Sequence, residues 1–309
     1  MKPHVLKIAR LPDLLNERLY DQYEVTDSTE NPADLPASAF GVRALLANGE
    51  SRVSRELIEK LPELEIIVVF GVGYDGVDVQ AARERGIRVT HTPDVLTDDV
   101  ADFAMALLLG IGRRTADADR FVRAGAWSDG PFPFTRKVSG ARVGIVGLGR
   151  IGKAIARRAA GFDMRIAYTG RTPQDVPYEF IGSVVELAAA VDFLVIAVGG
   201  GEATLHLVDT DVLNALGPQG ILINVGRGSV VDEGALAAAL RDKRIYAAGL
   251  DVFEHEPQVH PDLLGLDNVL LTPHMASATQ DTRQAMADLT LSNLAAYFAR
   301  ETLPTPIPE

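Results

Sequence analysis

Cysteine is absent from the 309-residue chain, and that absence removes disulfides, thiolate nucleophiles and cysteine-ligated zinc together. The fold must then stand on its apolar core, and a cytoplasmic location is expected. Histidine is scarce, with six in all. His4, His91, His206 and His260 show no ligand-like spacing to one another or to acids, and His255 with His260 makes no convincing pair, so no metal is expected. No uncharged run approaches the ~20 residues needed to span a bilayer. Residues 1–15 are interrupted by Lys7, Arg10 and Asp13, and no membrane partner is expected. Basic residues are outnumbered, 30 Lys and Arg against 42 Asp and Glu, and the formal charge of −12 is spread along the chain. Without a broad basic surface, nucleic acid is a poor partner. No solenoid period and no low-complexity tract is present apart from a Pro-rich tail, residues 303–309.

What remains is a chain with 47% hydrophobic and 23% charged residues, enough to bury a large core in two domains. Short apolar runs bounded by turn residues alternate with longer amphipathic segments, the α/β pattern of parallel sheets covered by helices. Strands are expected at residues 4–9, 43–47, 65–70 and 88–90, with helices near 12–20, 54–61 and 79–85. A second series of six strands, at 142–146, 165–169, 192–197, 220–224, 245–250 and 268–271, suits a dinucleotide fold. Between the series, Val100, Phe103, Ala104, Leu107, Leu108 and Ile111 recur at helical spacing, predicting a long, largely buried connecting helix over 98–114. A last helix at 279–300 should pack back on the first domain, and residues 131–134 should form a loop.

The segment 142–152 places Gly147, Gly149 and Gly152 between a β-branched strand and an Ala-rich helix. In that context the spacing is a strong dinucleotide signal. The first glycine permits a tight turn, the second lets backbone approach a pyrophosphate, and the third allows close helix packing. The N–H groups around Leu148, Arg150 and Ile151 at the helix start would face the anion. An NAD site usually carries an acid roughly 20 residues further on. Here the second strand ends in Gly170, Arg171 and Thr172. Gly170 leaves room for a 2′-phosphate, Arg171 offers a guanidinium fork and Thr172 a hydroxyl. NADP(H) is therefore preferred over NAD(H), the alternative being that Arg171 is a solvated loop residue and both cofactors are used.

Three downstream segments each follow a strand: Asn-Val-Gly-Arg-Gly at 224–228, Asp-Val-Phe-Glu-His-Glu-Pro at 251–257 and Pro-His-Met-Ala-Ser at 273–277. With Gly-Val-Gly-Tyr-Asp-Gly-Val-Asp at 71–78, in this order and spacing, the chain resembles the D-isomer-specific 2-hydroxyacid dehydrogenases, and within them the glyoxylate and hydroxypyruvate reductase branch. The resemblance covers nearly the whole chain. It implies two doubly wound parallel-sheet domains: a discontinuous, flavodoxin-like substrate domain of residues 1–97 and 276–309, and a Rossmann cofactor domain of residues 98–275.

The resemblance further implies that Arg227 binds substrate, Glu256 is the orienting acid and His274 the proton donor. Such a trio suits hydride transfer: negative charge develops on the carbonyl oxygen and must receive a proton, which an imidazole supplies near neutral pH. A carboxylate on the other ring nitrogen fixes the ring and favours its protonated form, while a guanidinium can bridge the substrate carboxylate and carbonyl. His255, beside Glu256, is assigned to the surface.

By the same resemblance, Val72 and Gly73 offer N–H groups to the substrate carboxylate, with a loop from Leu46 and Ala47 to Gly49 lining the pocket; an ordinary turn is the alternative. Thr97, Val198, Val225, Gly226 and Ala276 approach the cofactor, and Asp251 would bond the carboxamide or else cap local backbone. Trp127, the sole tryptophan, with Phe132, Phe134 and Met275, could shape the pocket across a dimer interface or simply pack. Gly199, Gly200 and Gly201 depart from the family pattern, and a flexible loop is expected there. The implied activity is NADPH-dependent reduction of glyoxylate, hydroxypyruvate or a related 2-oxo acid by a homodimer. Rival readings are a nucleotide-sensing corepressor, or a dehydrogenase of another acid such as phenylpyruvate, phosphite or formate.

Overall fold

The computed structural model describes residues 2–308. The chain divides into two compact units, one running to Leu96 and resuming at Ala278, the other spanning Thr97–Ser277.

The first unit carries five parallel strands: β1 (His4–Lys7), β2 (Glu24–Asp27), β3 (Ala44–Asn48), β4 (Ile66–Phe70) and β5 (Arg88–Thr90), in the order β2-β1-β3-β4-β5. That order is the flavodoxin-like one. β4 reads Ile-Ile-Val-Val-Phe and is buried throughout, as a central strand covered on both faces must be. The flanking helices start at side-chain caps: Ser54 accepts the Leu57 N–H and Asp78 the Ala81 N–H, relieving donors that the first turn leaves unpaired. The long helix Gln280–Ala299 begins at a Thr279 cap and stops at Arg300, whose φ is 61°. It packs on β4 and on the helix Asp13–Gln22. The sequence pattern misses β2. Its Glu-Val-Thr-Asp run is partly exposed on an edge, with no apolar alternation to betray it.

The second unit holds seven parallel strands: β6 (Arg142–Val146), β7 (Arg165–Thr169), β8 (Glu179–Phe180), β9 (Phe193–Ile196), β10 (Ile221–Asn224), β11 (Ala247–Leu250) and β12 (Val269–Leu271). Their order is β12-β11-β10-β9-β6-β7-β8, so the chain reverses direction across the sheet between β6 and β9. Seven strands replace the six expected; β8 is a two-residue pairing with β7, too short to leave a pattern. The helix Thr97–Gly112 buries Val100, Ala104, Leu107, Leu108 and Ile111 and lies against β10, β11 and the helix Arg150–Ala160. Among the described residues no helix is long and apolar enough to cross a membrane.

Candidate active site

Strand register gathers the nominated residues of the second unit. Val146 is level with Thr169 and Ile196, Ile196 with Asn224, Asn224 with Leu250, and Leu250 with Leu271. The next position on each strand therefore falls in one row at the carboxyl edge: Gly147, Gly170, Ala197, Val225, Asp251 and Thr272. Ligands of open α/β sheets bind along this edge, at the point where strand order reverses.

The glycine motif fits a dinucleotide. Gly147 has φ +94°, and a Cβ on Gly152 would lie 2.1 Å from the Gly147 carbonyl oxygen, so turn and helix are pressed together as only glycine allows. By contrast nothing lies within 4 Å of a Cβ built on Gly149, and no side chain caps the 11-residue helix beginning at Arg150. Its amide terminus can therefore receive a pyrophosphate. Leu148 is buried, Ile151 half-buried and Arg150 exposed. Gly170, Arg171 and Thr172 are exposed at the end of β7, with open space beside Gly170.

His274 Nδ1 lies 2.6 Å from Glu256 Oε2, and Glu256 Oε1 accepts the Phe253 N–H at 2.8 Å. The carboxylate is thus fixed on one side by backbone and holds the ring on the other. His274 has φ +48°, a conformation uncommon outside glycine. Its N–H donates to the carbonyls of Asp251 at 2.8 Å and Thr272 at 3.1 Å. Asp251, 1% exposed, accepts the Thr272 hydroxyl at 2.7 Å and the N–H groups of Met275 and Ala276 at 2.9 Å each. The local-capping reading of Asp251 is what the geometry displays, and the cap holds the His274 turn in shape.

Arg227 is half-buried, and its guanidinium donates to the Gly226 carbonyl at 2.9 Å. The turn beneath it is tied by Asn224, which accepts the Gly226 N–H at 3.0 Å and donates to the Arg227 carbonyl at 2.9 Å. Asn224 stands in the Asn-Val-Gly-Arg-Gly string, where nothing local reveals that its amide braces the arginine turn.

Other expectations need correction. Leu46 and Ala47 belong to strand β3 and are fully buried, so their side chains fill the core and cannot line a pocket; only the turn after Asn48 is presented. Trp127, Phe134 and Met275, at 69%, 103% and 41% exposed, lie outside the core of the single chain. Phe132 instead meets Phe121 edge-on. The 199–201 loop is tied by the Thr204 hydroxyl, which donates to Gly199 at 2.8 Å and Gly201 at 3.2 Å. His206 meets Glu254, 48 positions away, at 2.8 Å; chain crossover, not local spacing, makes this pair. His255 is exposed.

In the first unit Val72 and Gly73 lie in a half-buried turn. The Val72 carbonyl is 2.8 Å from His91 Nδ1, and the Gly71 N–H donates to Thr92 at 3.1 Å. Sequence reasoning also passed over Glu233, 4% exposed, which accepts the Glu254 N–H at 2.8 Å; burial pushes its carboxyl up.

Residues 105–276 match the family described as D-isomer specific 2-hydroxyacid dehydrogenase, NAD binding domain. Hydroxyphenylpyruvate reductase of Plectranthus scutellarioides is 47% identical over 98% of this chain and 98% of its own. Glyoxylate/hydroxypyruvate reductase A of Arabidopsis thaliana is also 47% identical, over 94% and 93%. Among solved structures, the NADPH-dependent glyoxylate/hydroxypyruvate reductase of Sinorhizobium meliloti, in complex with NADP and malonate, superposes with a TM-score of 0.94 at 45% identity, covering 99% of this chain and 97% of that one. The sheet that carries the glycine turn, the acid-held histidine and the sequence matches agree, and the chain belongs to the D-isomer specific 2-hydroxyacid dehydrogenase family.

Proposed function

We propose that this protein reduces a small 2-oxo acid of the glyoxylate or hydroxypyruvate type to its 2-hydroxy acid, with NADPH as the preferred reductant and NADH a poorer one. The observation that carries the reading is the Glu256–His274 contact of 2.6 Å at the sheet edge that also bears the glycine motif. The activities of the plant relatives, and the NADP and malonate of the Sinorhizobium meliloti structure, support a nicotinamide site beside a site for a small carboxylic acid.

In this reading Gly147, Leu148, Gly149, Arg150, Ile151 and Gly152 hold the pyrophosphate, and Gly170, Arg171 and Thr172 the 2′-phosphate. Thr97, Val198, Val225, Gly226 and Ala276 border the rest of the cofactor. The reduced nicotinamide supplies a hydride to the substrate C2. Arg227 binds the substrate carboxylate and polarises the ketone, and the Val72 and Gly73 amides supply further donors to the carboxylate. His274 delivers a proton from Nε2 to the carbonyl oxygen as charge grows there, while Glu256, on Nδ1, sets the ring's tautomer and steadies its charged form. Asp251 serves by holding the His274 turn. We place the enzyme in the cytoplasm as a homodimer, with residues 1–97 and 276–309 as substrate domain and 98–275 as cofactor domain.

The test crosses NADPH and NADH with glyoxylate, hydroxypyruvate, phenylpyruvate and pyruvate, following nicotinamide absorbance. Oxidation of NADPH by glyoxylate and hydroxypyruvate is expected; intact nucleotide binding with no oxidation by any acid would favour a sensor instead. Arg171→Ala should raise the KM for NADPH and leave that for NADH nearly unchanged. An unaltered preference would remove Arg171 from the 2′-phosphate site.

A further inference from the structure

Glu233 is a buried acid that the reaction above does not use. It opens the helix Glu233–Arg241 and is 4% exposed. Its Oε1 accepts the N–H of Glu254 at 2.8 Å. The peptide so held adjoins the Phe253 N–H that fixes Glu256, and through Glu256 the ring of His274. The same peptide is also pressed against the arginine turn: a Cβ on Gly228 would fall 1.8 Å from the Phe253 carbonyl carbon and 2.3 Å from the Glu254 nitrogen. Gly228 directly follows Arg227. One carboxylate thus fastens the peptide on which both functional turns rest.

Other titratable groups act on it electrostatically: Glu254, His255 and His260, and His206 Nε2 lies 2.8 Å from Glu254 Oε1. Burial pushes the Glu233 carboxyl up, so its ionisation weakens the fold as pH rises. The first turn of a helix favours an acid, and beyond that a charged acceptor grips an N–H more tightly than a neutral one.

Resting on the roles given above to Arg227, Glu256 and His274, the geometry points to Glu233 as a positioning residue for the active site, acting through the Phe253–Glu254 peptide to hold Glu256 on His274 and to seat the Arg227 turn. Glu233→Ala removes the acceptor; Glu233→Gln keeps an oxygen in its place.

The experiment measures kcat, the NADPH dissociation constant and the low-field proton signal of His274 Nδ1 in histidine-labelled protein, with His274→Asn assigning the signal. Glu233→Ala should lower kcat on the order of 10- to 100-fold, the penalty of a misplaced group. It should move the Nδ1 signal upfield and leave NADPH affinity as it was, and Glu233→Gln should restore most of both losses. Should Glu233→Ala fail to fold, Glu233→Asp, with its carboxylate drawn back by one methylene, should show the same losses in smaller measure. An unmoved Nδ1 signal with unchanged kcat, or equal losses in the alanine and glutamine variants, overturns the inference. Undiminished kcat in His274→Asn would instead overturn the catalytic assignment on which it rests.

Discussion

At the scale of single residues, the turn that presents His274 is over-determined. A positive φ, two backbone hydrogen bonds and the triple cap from Asp251 fix it. A non-glycine residue there sits in a sparsely populated region, and such positions gather where geometry matters more than ease. Asparagine tolerates this backbone, so His274→Asn should leave the fold and NADPH binding intact while lowering kcat about 10²- to 10⁴-fold, the range of a lost general acid. Arg227→Lys should chiefly raise the KM for the 2-oxo acid, because a point charge cannot make a two-pronged contact. Steady-state kinetics with a binding titration separates the two.

Glu233 yields a prediction of opposite sign from the usual acid. Its folded pKa is raised by burial, so the folded state keeps its proton over a window where the unfolded chain, near the ordinary ~4.3, has lost it. Stability from this group is full below that value and is lost as pH rises through the folded pKa. Glu233→Gln, which cannot ionise, should therefore melt higher than the parent at neutral pH, and the gap should close on acidification. Melting curves across pH check this, and a gap that widened in acid would contradict it.

At the scale of elements, the switch point between β6 and β9 is fastened at its amino edge. Asp192 receives Arg142 through the backbone N–H at 2.9 Å and the guanidinium at 2.9 and 3.2 Å. The hydrogen bonds from Arg142 hold the Asp192 carboxyl below its ordinary value. This stabilisation is present above the unfolded value of ~3.9 and fades as pH falls through the lower folded pKa. Asp192→Asn should lower stability by about 1 kcal/mol at neutral pH, and the difference should vanish in strong acid. Gly152→Ala tests the opposite edge. With 2.1 Å to the Gly147 oxygen, the helix must shift, lowering stability by about 1–3 kcal/mol and NADPH affinity by more than tenfold.

The same elements show what the sequence could reveal. Buried strands such as β4 and β6 and the helix Thr97–Gly112 write their environment into their composition. β2 and β8 do not, because an edge strand may be polar and its pairing depends on a distant partner. Arg227, Glu256 and His274 could be nominated because each stands in a local string after a strand. The Glu233–Glu254 and His206–Glu254 contacts join residues 21 and 48 positions apart, and no local string records them. Leu46 and Ala47 are hard to place from sequence for a related reason: whether a strand end belongs to the core or to the following loop is decided by register.

At the scale of the whole molecule, a nucleotide that binds only the folded chain adds to stability by mass action. About 2.7 kcal/mol is expected at 100 times its dissociation constant. NADPH should therefore raise the melting temperature more than NADH at equal concentration. The proposed homodimer should sediment at twice the 33.2 kDa chain mass, and Trp127→Asp with Phe134→Asp should shift it toward the monomer if that exposed aromatic surface is where two copies meet.

The sole indole has a photophysical consequence. Trp127 is 69% exposed on a short turn, so its native emission should already be red and open to iodide quenching. Fluorescence will then be nearly blind to denaturation of the interior, which circular dichroism must follow. Its shielding from iodide will report, without any added dye, whether that patch has been covered.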